Sequence, residues 1–345
     1  MKSMKNSISV TDRGERTMRS RRKTAACGLA LLLFFMLCGC GARRQTGEWF
    51  AMDTVMTAAV YGSADVLEAM EAETYRLDAL LAAQKDGSEI AAVNDGAEAV
   101  SEETAALLRR ALDIAAETDG AYDLTVYPLM RVWGFADGSY RVPEQTELDA
   151  LLERTGWKNV SVDGTAVSMP EGFALDLGGI GKGYAAGRCK ETLKAHGVTS
   201  ALLSLGGNVS ALGSKPDGTA WTVAIEDPDG GDYLGTVQIA DQCVVTSGGY
   251  QRYFEQDGVR YWHILDPETG KPARSGMRSV TIVSADDTLA DALSTALFVM
   301  GPERAEEFWR VHRAEFGAVW LTEDGRLFVT EGLTLTTERE YEVVS

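Results

Sequence analysis

The apolar positions change period several times along the chain, and each change predicts an element. Val55–Tyr61 reads as a strand. Leu67, Met70, Thr74, Leu77 and Leu81 then recur at three- and four-residue intervals, the spacing of one helix face. A second helix is predicted over roughly Glu102–Thr118, with Leu108, Ala111, Leu112 and Ala115 on its apolar side. Pro143 opens a shorter one through Leu148, Leu151 and Leu152. Phe173–Leu177 alternates like a strand, and Ile180, Tyr184, Cys189 and Leu193 continue at helical spacing until Gly197. Three Asp-Gly pairs, at 163–164, 257–258 and 324–325, lie between β-rich runs. Asp-Gly is a favoured centre of the two-residue type I′ hairpin. Hairpins imply antiparallel pairing and the helices are interspersed, so the expected class is α+β rather than an alternating parallel sheet.

The N-terminus follows a different logic. Arg19, Arg21, Arg22 and Lys23 precede the apolar run Gly28–Leu37, which is too short for the roughly 20 residues of a spanning helix but suits a signal peptide. Leu37-Cys38-Gly39-Cys40 fits a lipobox, which predicts lipidation at Cys40; an ordinary cleaved signal peptide is the alternative. Met18 offers a second start for this leader. The expected division is 1–40 as lipoprotein signal peptide, 41–47 as tether, 48–335 as the working domain and 336–345 as a C-terminal tail. Localisation is then extracytoplasmic, anchored to a membrane through Cys40.

Charge narrows the partners. The chain carries a formal charge of −18, and its first 40 residues are basic, so the acidity belongs to the remainder. That sign disfavours nucleic acid and electrostatic adhesion to anionic lipid. Beyond residue 40 only Cys189 and Cys243 remain, which excludes a disulfide scaffold and a cysteine zinc site.

Three segments carry candidate chemistry. Asp176–Gly183 reads DLGGIGKG, glycines around Lys182 at a predicted strand-to-helix turn. It fits neither a Walker loop nor G-x-G-x-x-G, yet small residues at a helix start let amides approach an anion, and Lys182 adds a full charge. The alternative is a tight packing turn, although a carboxylate such as Asp176 at the end of a buried strand needs a partner. In LADALSTALFVMG, residues 289–301, Asp291 and Thr295 share one helix face. Their hard oxygens suit Mg²⁺ or Ca²⁺, whereas Thr295 bonding back to the Asp291 carbonyl is the plain reading. In HILDPETGKP, residues 263–272, His263 ends a strand beside an Asp-Pro turn, where it serves either as a general base or as a structural histidine.

AMDT (51–54), SEIAAVN (88–94), DGAYDLTVYPL (119–129), WGF (133–135), DLGGIGKGYA (176–185), LGGN (205–208), TSGGY (246–250), HILDPETGKP (263–272) and ADALSTA (290–296) together closely resemble the ApbE family of FAD:protein FMN transferases. The resemblance covers about residues 48–335. It implies largely antiparallel sheets with flanking helices in one compact two-subdomain unit. It also implies that FAD, as substrate, meets Met52, Ala121, Tyr122, Asp123, Asp176, Lys182, Leu265 and Ser294. Mg²⁺ would be held by Asp291, Thr295 and the main-chain oxygen of Gly179. The implied reaction moves FMN to a Thr or Ser hydroxyl of an acceptor protein, an FMN-carrying redox subunit, with release of AMP. Lys182 is expected to share the stabilisation of charge and His263 to accept the hydroxyl proton. Two departures stand out: Gln84 replaces a common aromatic, and Gly187 a common aspartate. Hydrolysis of FAD to FMN and AMP, or FAD binding alone by a tethered protein, are the competing readings.

Overall fold

The computed structural model describes residues 43–345, so Cys40 and the leader lie outside the described residues. Fifteen strands and eight helices are formed among them. The strands are β1 (Arg44–Ala51), β2 (Thr54–Tyr61), β3 (Ser161–Asp163), β4 (Ala166–Ser168), β5 (Ala201–Leu205), β6 (Asn208–Leu212), β7 (Trp221–Ile225), β8 (Gly235–Ile239), β9 (Cys243–Gly248), β10 (Tyr253–Gln256), β11 (Val259–Trp262), β12 (Met277–Ser284), β13 (Phe316–Thr322), β14 (Leu327–Thr330) and β15 (Glu342–Val344). The helices are α1 (Asp65–Leu81), α2 (Glu89–Asn94), α3 (Glu102–Glu117), α4 (Tyr127–Val132), α5 (Gln145–Leu152), α6 (Gly181–Ala195), α7 (Asp287–Met300) and α8 (Pro302–His312). No helix among the described residues is long and apolar enough to cross a membrane.

Nine strands form one sheet in the order β1-β2-β5-β6-β9-β12-β13-β14-β15, antiparallel at every pairing except β14–β15. Its central strands are apolar on both faces because both are covered. Val245, Val280, Ile282, Ala318 and Trp320 pack with α6 and α7 residues such as Cys189, Leu193, Leu289 and Leu293. The intervening Val244, Val283, Val319 and Leu321 point the other way, into a smaller layer built on the β7–β8 hairpin through Trp221, Val223, Val237 and Ile239. Residues Arg44–Ser345 thus make one compact α+β unit of largely antiparallel sheets with flanking helices, built around the nine-stranded sheet.

Most predicted elements form, with local corrections. Phe173–Leu177 is not a strand. Its backbone bonds go to Asn94, whose side chain receives Leu175 N–H at 2.6 Å and donates to Leu175 O at 3.0 Å, and to Leu124 O, which accepts Asp176 N–H at 2.8 Å. An alternating pattern cannot distinguish a ladder from an extended segment satisfied by a side-chain amide. Residues 44–47, expected as tether, are the first half of β1, and the expected tail supplies β15. Asp257-Gly258 is a type I′ turn with both residues at positive φ. At the other two sites the centre shifts: Gly164-Thr165 joins β3 to β4, and Glu323-Asp324-Gly325 joins β13 to β14 as a three-residue loop ending in left-handed Gly325.

Candidate functional site

The site lies where hairpin tips at one end of the large sheet meet the start of α6 and the side of α7. The β1–β2 tip is Met52-Asp53, both at positive φ (50° and 56°) without a glycine between them. Two non-glycine residues in that region carry strain, which the surroundings hold. Met52 N–H donates to Asp78 Oδ2 at 3.0 Å, Lys85 pairs with the same oxygen at 2.6 Å, and Gln84 donates to Asp53 Oδ2 at 3.1 Å. The tip sets Met52 over Gly181, where an added Cβ would lie 3.9 Å from Met52 Cε. The β5–β6 tip is Gly206-Gly207, and it places buried Asn208 beneath α7.

Asp291 is the centre of the arrangement and is 5% exposed. Its Oδ2 accepts Gly183 N–H at 2.8 Å, so a carboxylate of α7 caps an otherwise unpaired amide in the first turn of α6. Its Oδ1 accepts Asn208 Nδ2–H at 2.9 Å and lies 4.0 Å from Lys182 Nζ. The helices approach closely enough that a Cβ on Gly183 would come within 2.2 Å of Asp287 O and 2.7 Å of Asp291 Cβ. One turn earlier on α7, buried Asp287 pairs with Lys190 of α6 and accepts from Ser210 of β6. That network clamps the two helices together.

The back-bonding expected as the plain reading of Thr295 is made by its neighbour. Ser294 Oγ donates to Asp291 O at 2.8 Å and meets Ser247 Oγ of β9 at 2.8 Å. Thr295 Oγ1 lies 3.4 Å from Ser247 Oγ and 3.9 Å from the position of a Gly179 Cβ. Gly179, Asp291 and Thr295 are thereby brought together, and two of the carboxylate's roughly four acceptor directions are in use. Carboxylate, hydroxyl and carbonyl are hard donors that fit a magnesium-like cation whose remaining ligands come from substrate phosphate and water.

Tyr122 links this corner to Asp176. Its ring would contact a Cβ on Gly179 at 3.2 Å, and its hydroxyl is buried with no hydrogen-bond partner among the described residues. Burial pushes the phenol's pKa up, and Asp176, Asp291 and Asp123 push it further, so it stays a neutral donor. Asp176 is half-buried, accepts Gly178 N–H at 2.7 Å, and is raised by burial against the pull of that bond, Arg252 and Lys182. Asp123 is committed internally: it accepts Thr125 N–H and hydroxyl at 2.8 and 2.6 Å and Trp157 N–H at 2.9 Å. Its carboxylate therefore shapes the loop that carries Ala121 and Tyr122. Leu265 is buried among Leu129, Trp133, Phe135 and Leu148.

His263 follows β11 as predicted. Its Nδ1 lies 3.2 Å from Arg252 O, an acceptor only, so Nδ1 carries the hydrogen and Nε2 keeps its lone pair. Burial, then Arg252 and Lys182, lower its pKa from 6.5 to about 4. At neutral pH the ring is therefore uncharged and competent to take a proton. Asn208, Ser247 and Arg252 were not singled out from sequence. The first two lie within the LGGN and TSGGY strings, whose glycines mark them as turns near something.

A lysine at the start of α6, set against a buried carboxylate and hydroxyl on the adjoining α7 and lined by glycines, gives this α+β fold a candidate site for a phosphate-bearing ligand. A model of the ApbE family matches residues 52–320. The chain belongs to that family. It is 32% identical over 331 residues to the FAD:protein FMN transferase of Escherichia coli K12, covering 88% of this chain and 93% of that one. It is 36% identical over 310 residues to the FAD:protein FMN transferase of Treponema pallidum, covering 79% and 85%. Among solved structures it resembles the ApbE protein of Thermotoga maritima (TM-score 0.79, 35% identity, 84% and 97% covered) and the flavin transferase ApbE of Vibrio cholerae (TM-score 0.75, 27% identity, 84% and 98% covered).

Proposed function

We infer that this chain transfers FMN from FAD to a protein, using the corner between the start of α6 and the side of α7. The observation that carries this reading is the convergence of Gly179, Lys182, Asp291 and Thr295, which sequence alone placed on two separate segments. The acceptor is a Thr or Ser hydroxyl. Its oxygen forms a bond to the FMN phosphorus, the bond from that phosphorus to the AMP oxygen breaks, and AMP leaves. His263 Nε2 takes the hydroxyl proton. Lys182, in the first turn of α6, faces the phosphate charge, while the Gly181 and Gly183 amides hold the turn through Leu177 O and Asp291 Oδ2. Mg²⁺ would be held by Asp291, Thr295 and the Gly179 carbonyl, and bound there it supplies neutralisation of the diphosphate. The leader supports lipidation at Cys40 and an extracytoplasmic site of action, with an FMN-carrying redox subunit as the acceptor.

One assay tests transfer against hydrolysis. The protein is incubated with FAD and Mg²⁺, with and without a flavin-accepting domain. Flavin fluorescence on the acceptor after denaturing electrophoresis is the expected result. AMP and FMN formed equally without an acceptor would make the chain a pyrophosphatase instead.

The unpartnered hydroxyl of Tyr122 gives a second, independent measurement. Tyr122→Phe removes a buried donor that lacks a partner, a group that costs about 1–3 kcal/mol. The ligand-free variant should melt higher than the parent by a few degrees, while FAD binds about tenfold more weakly for want of the hydrogen bond. Equal FAD affinity in both proteins would remove Tyr122 from the binding site.

A further inference from the structure

We propose that Arg252 is a positioning residue for His263, holding the imidazole in the tautomer that leaves Nε2 free; the proposal rests on the reading of His263 as proton acceptor. Three contacts close a bracket around the ring. Arg252 O accepts both the His263 main-chain N–H at 3.1 Å and Nδ1–H at 3.2 Å. The Arg252 guanidinium crosses to Phe135 and donates to its carbonyl, joining segments 117 residues apart. The Phe135 ring then meets the imidazole edge-on, with centroids 6.4 Å apart at 68°.

Each contact restrains a different freedom. The carbonyl fixes which nitrogen carries the hydrogen, and the Phe135 edge limits rotation of the ring. The guanidinium keeps carbonyl and aromatic edge at a constant separation. Phe135 is itself held by Tyr140 and Phe254, each with its centroid 5.7 Å away, so the guanidinium ties the histidine to a packed aromatic block. Without that tie, the β10–β11 hairpin that carries both Arg252 O and His263 can drift from the 133–135 turn, and the ring loses the aromatic edge that keeps Nδ1–H turned to the Arg252 carbonyl. Arg252 is exposed, so replacing it leaves the core intact.

The test compares Arg252→Met, Arg252→Lys and the parent. The chain has only three histidines, so ¹⁵N-histidine spectra of the ligand-free protein resolve each ring, with His263→Gln providing the assignment. The parent is expected to show His263 with the hydrogen on Nδ1. Arg252→Met should show a mixture of both neutral tautomers and lose about tenfold to a hundredfold in kcat, with FAD Kd within about twofold. Arg252→Lys, which keeps a donor to Phe135 O, should recover part of both. A parent-like tautomer signal in Arg252→Met overturns the proposal, whatever the activity does. If instead His263→Gln keeps full turnover while the Arg252→Met spectrum changes, the bracket stands and the proton-acceptor reading falls.

Discussion

Asp291→Ala is expected to abolish divalent-cation-dependent FMN transfer. The carboxylate does three things at once. It is the carboxylate proposed as cation ligand beside Gly179 and Thr295, it accepts the Gly183 amide at the start of α6, and it accepts the Asn208 amide at 2.9 Å. Alanine removes the ligand and leaves two buried donors unpaired, costing about 1–3 kcal/mol each in stability. Asp291→Asn separates these effects. Its carboxamide keeps the size and one acceptor, so the fold should survive with a small loss of melting temperature. The proposed carboxylate ligand is gone, and FMN transfer measured against Mg²⁺ concentration should fall at least a hundredfold. Transfer by Asp291→Asn at parental rate and low Mg²⁺ would place the cation elsewhere.

His263→Gln should lower kcat by about 10²–10⁴, the usual contribution of a positioned proton acceptor, with FAD affinity retained. The pH dependence carries a specific signature. The free-enzyme pKa of His263 is about 4, held below 6.5 by burial, Arg252 and Lys182. The acid limb of kcat/KM for FMN transfer should therefore fall near pH 4 rather than near 6.5. Stability moves with the same group. Between pH 6.5 and about 4 the unfolded chain binds a proton that the folded chain does not, so the parent loses stability as pH falls through this window. His263→Gln has no such proton and should show a flatter melting curve there. An acid limb near 6.5 would mean that the histidine is neither enclosed nor flanked by those cations.

Much of this was legible because local rules and the final fold agree. Helices α1, α3, α5 and α6 follow from apolar spacing, and the Asp257-Gly258 turn from its dipeptide. The candidate site was legible only through the family resemblance, because the glycine turn and the Asp291–Thr295 pair, taken alone, fit ordinary packing and back-bonding equally well. What escaped was set by tertiary contacts. Phe173–Leu177 alternates, but Asn94 takes the bonds a neighbouring strand would have taken. Met52-Asp53 forms a left-handed turn without glycine because Asp78 and Gln84 hold it from α1 and the segment after it. Asn208 and Arg252 gain their roles only from partners 83 and 117 residues away, and no local pattern records that.

Gly183 carries a further consequence. With no room for even a methyl group between α6 and α7, the lysine-bearing turn and the aspartate helix cannot slide or hinge against each other. An incoming dinucleotide therefore meets a wall already built, with the left-handed Met52-Asp53 hairpin lying over its Gly181 end.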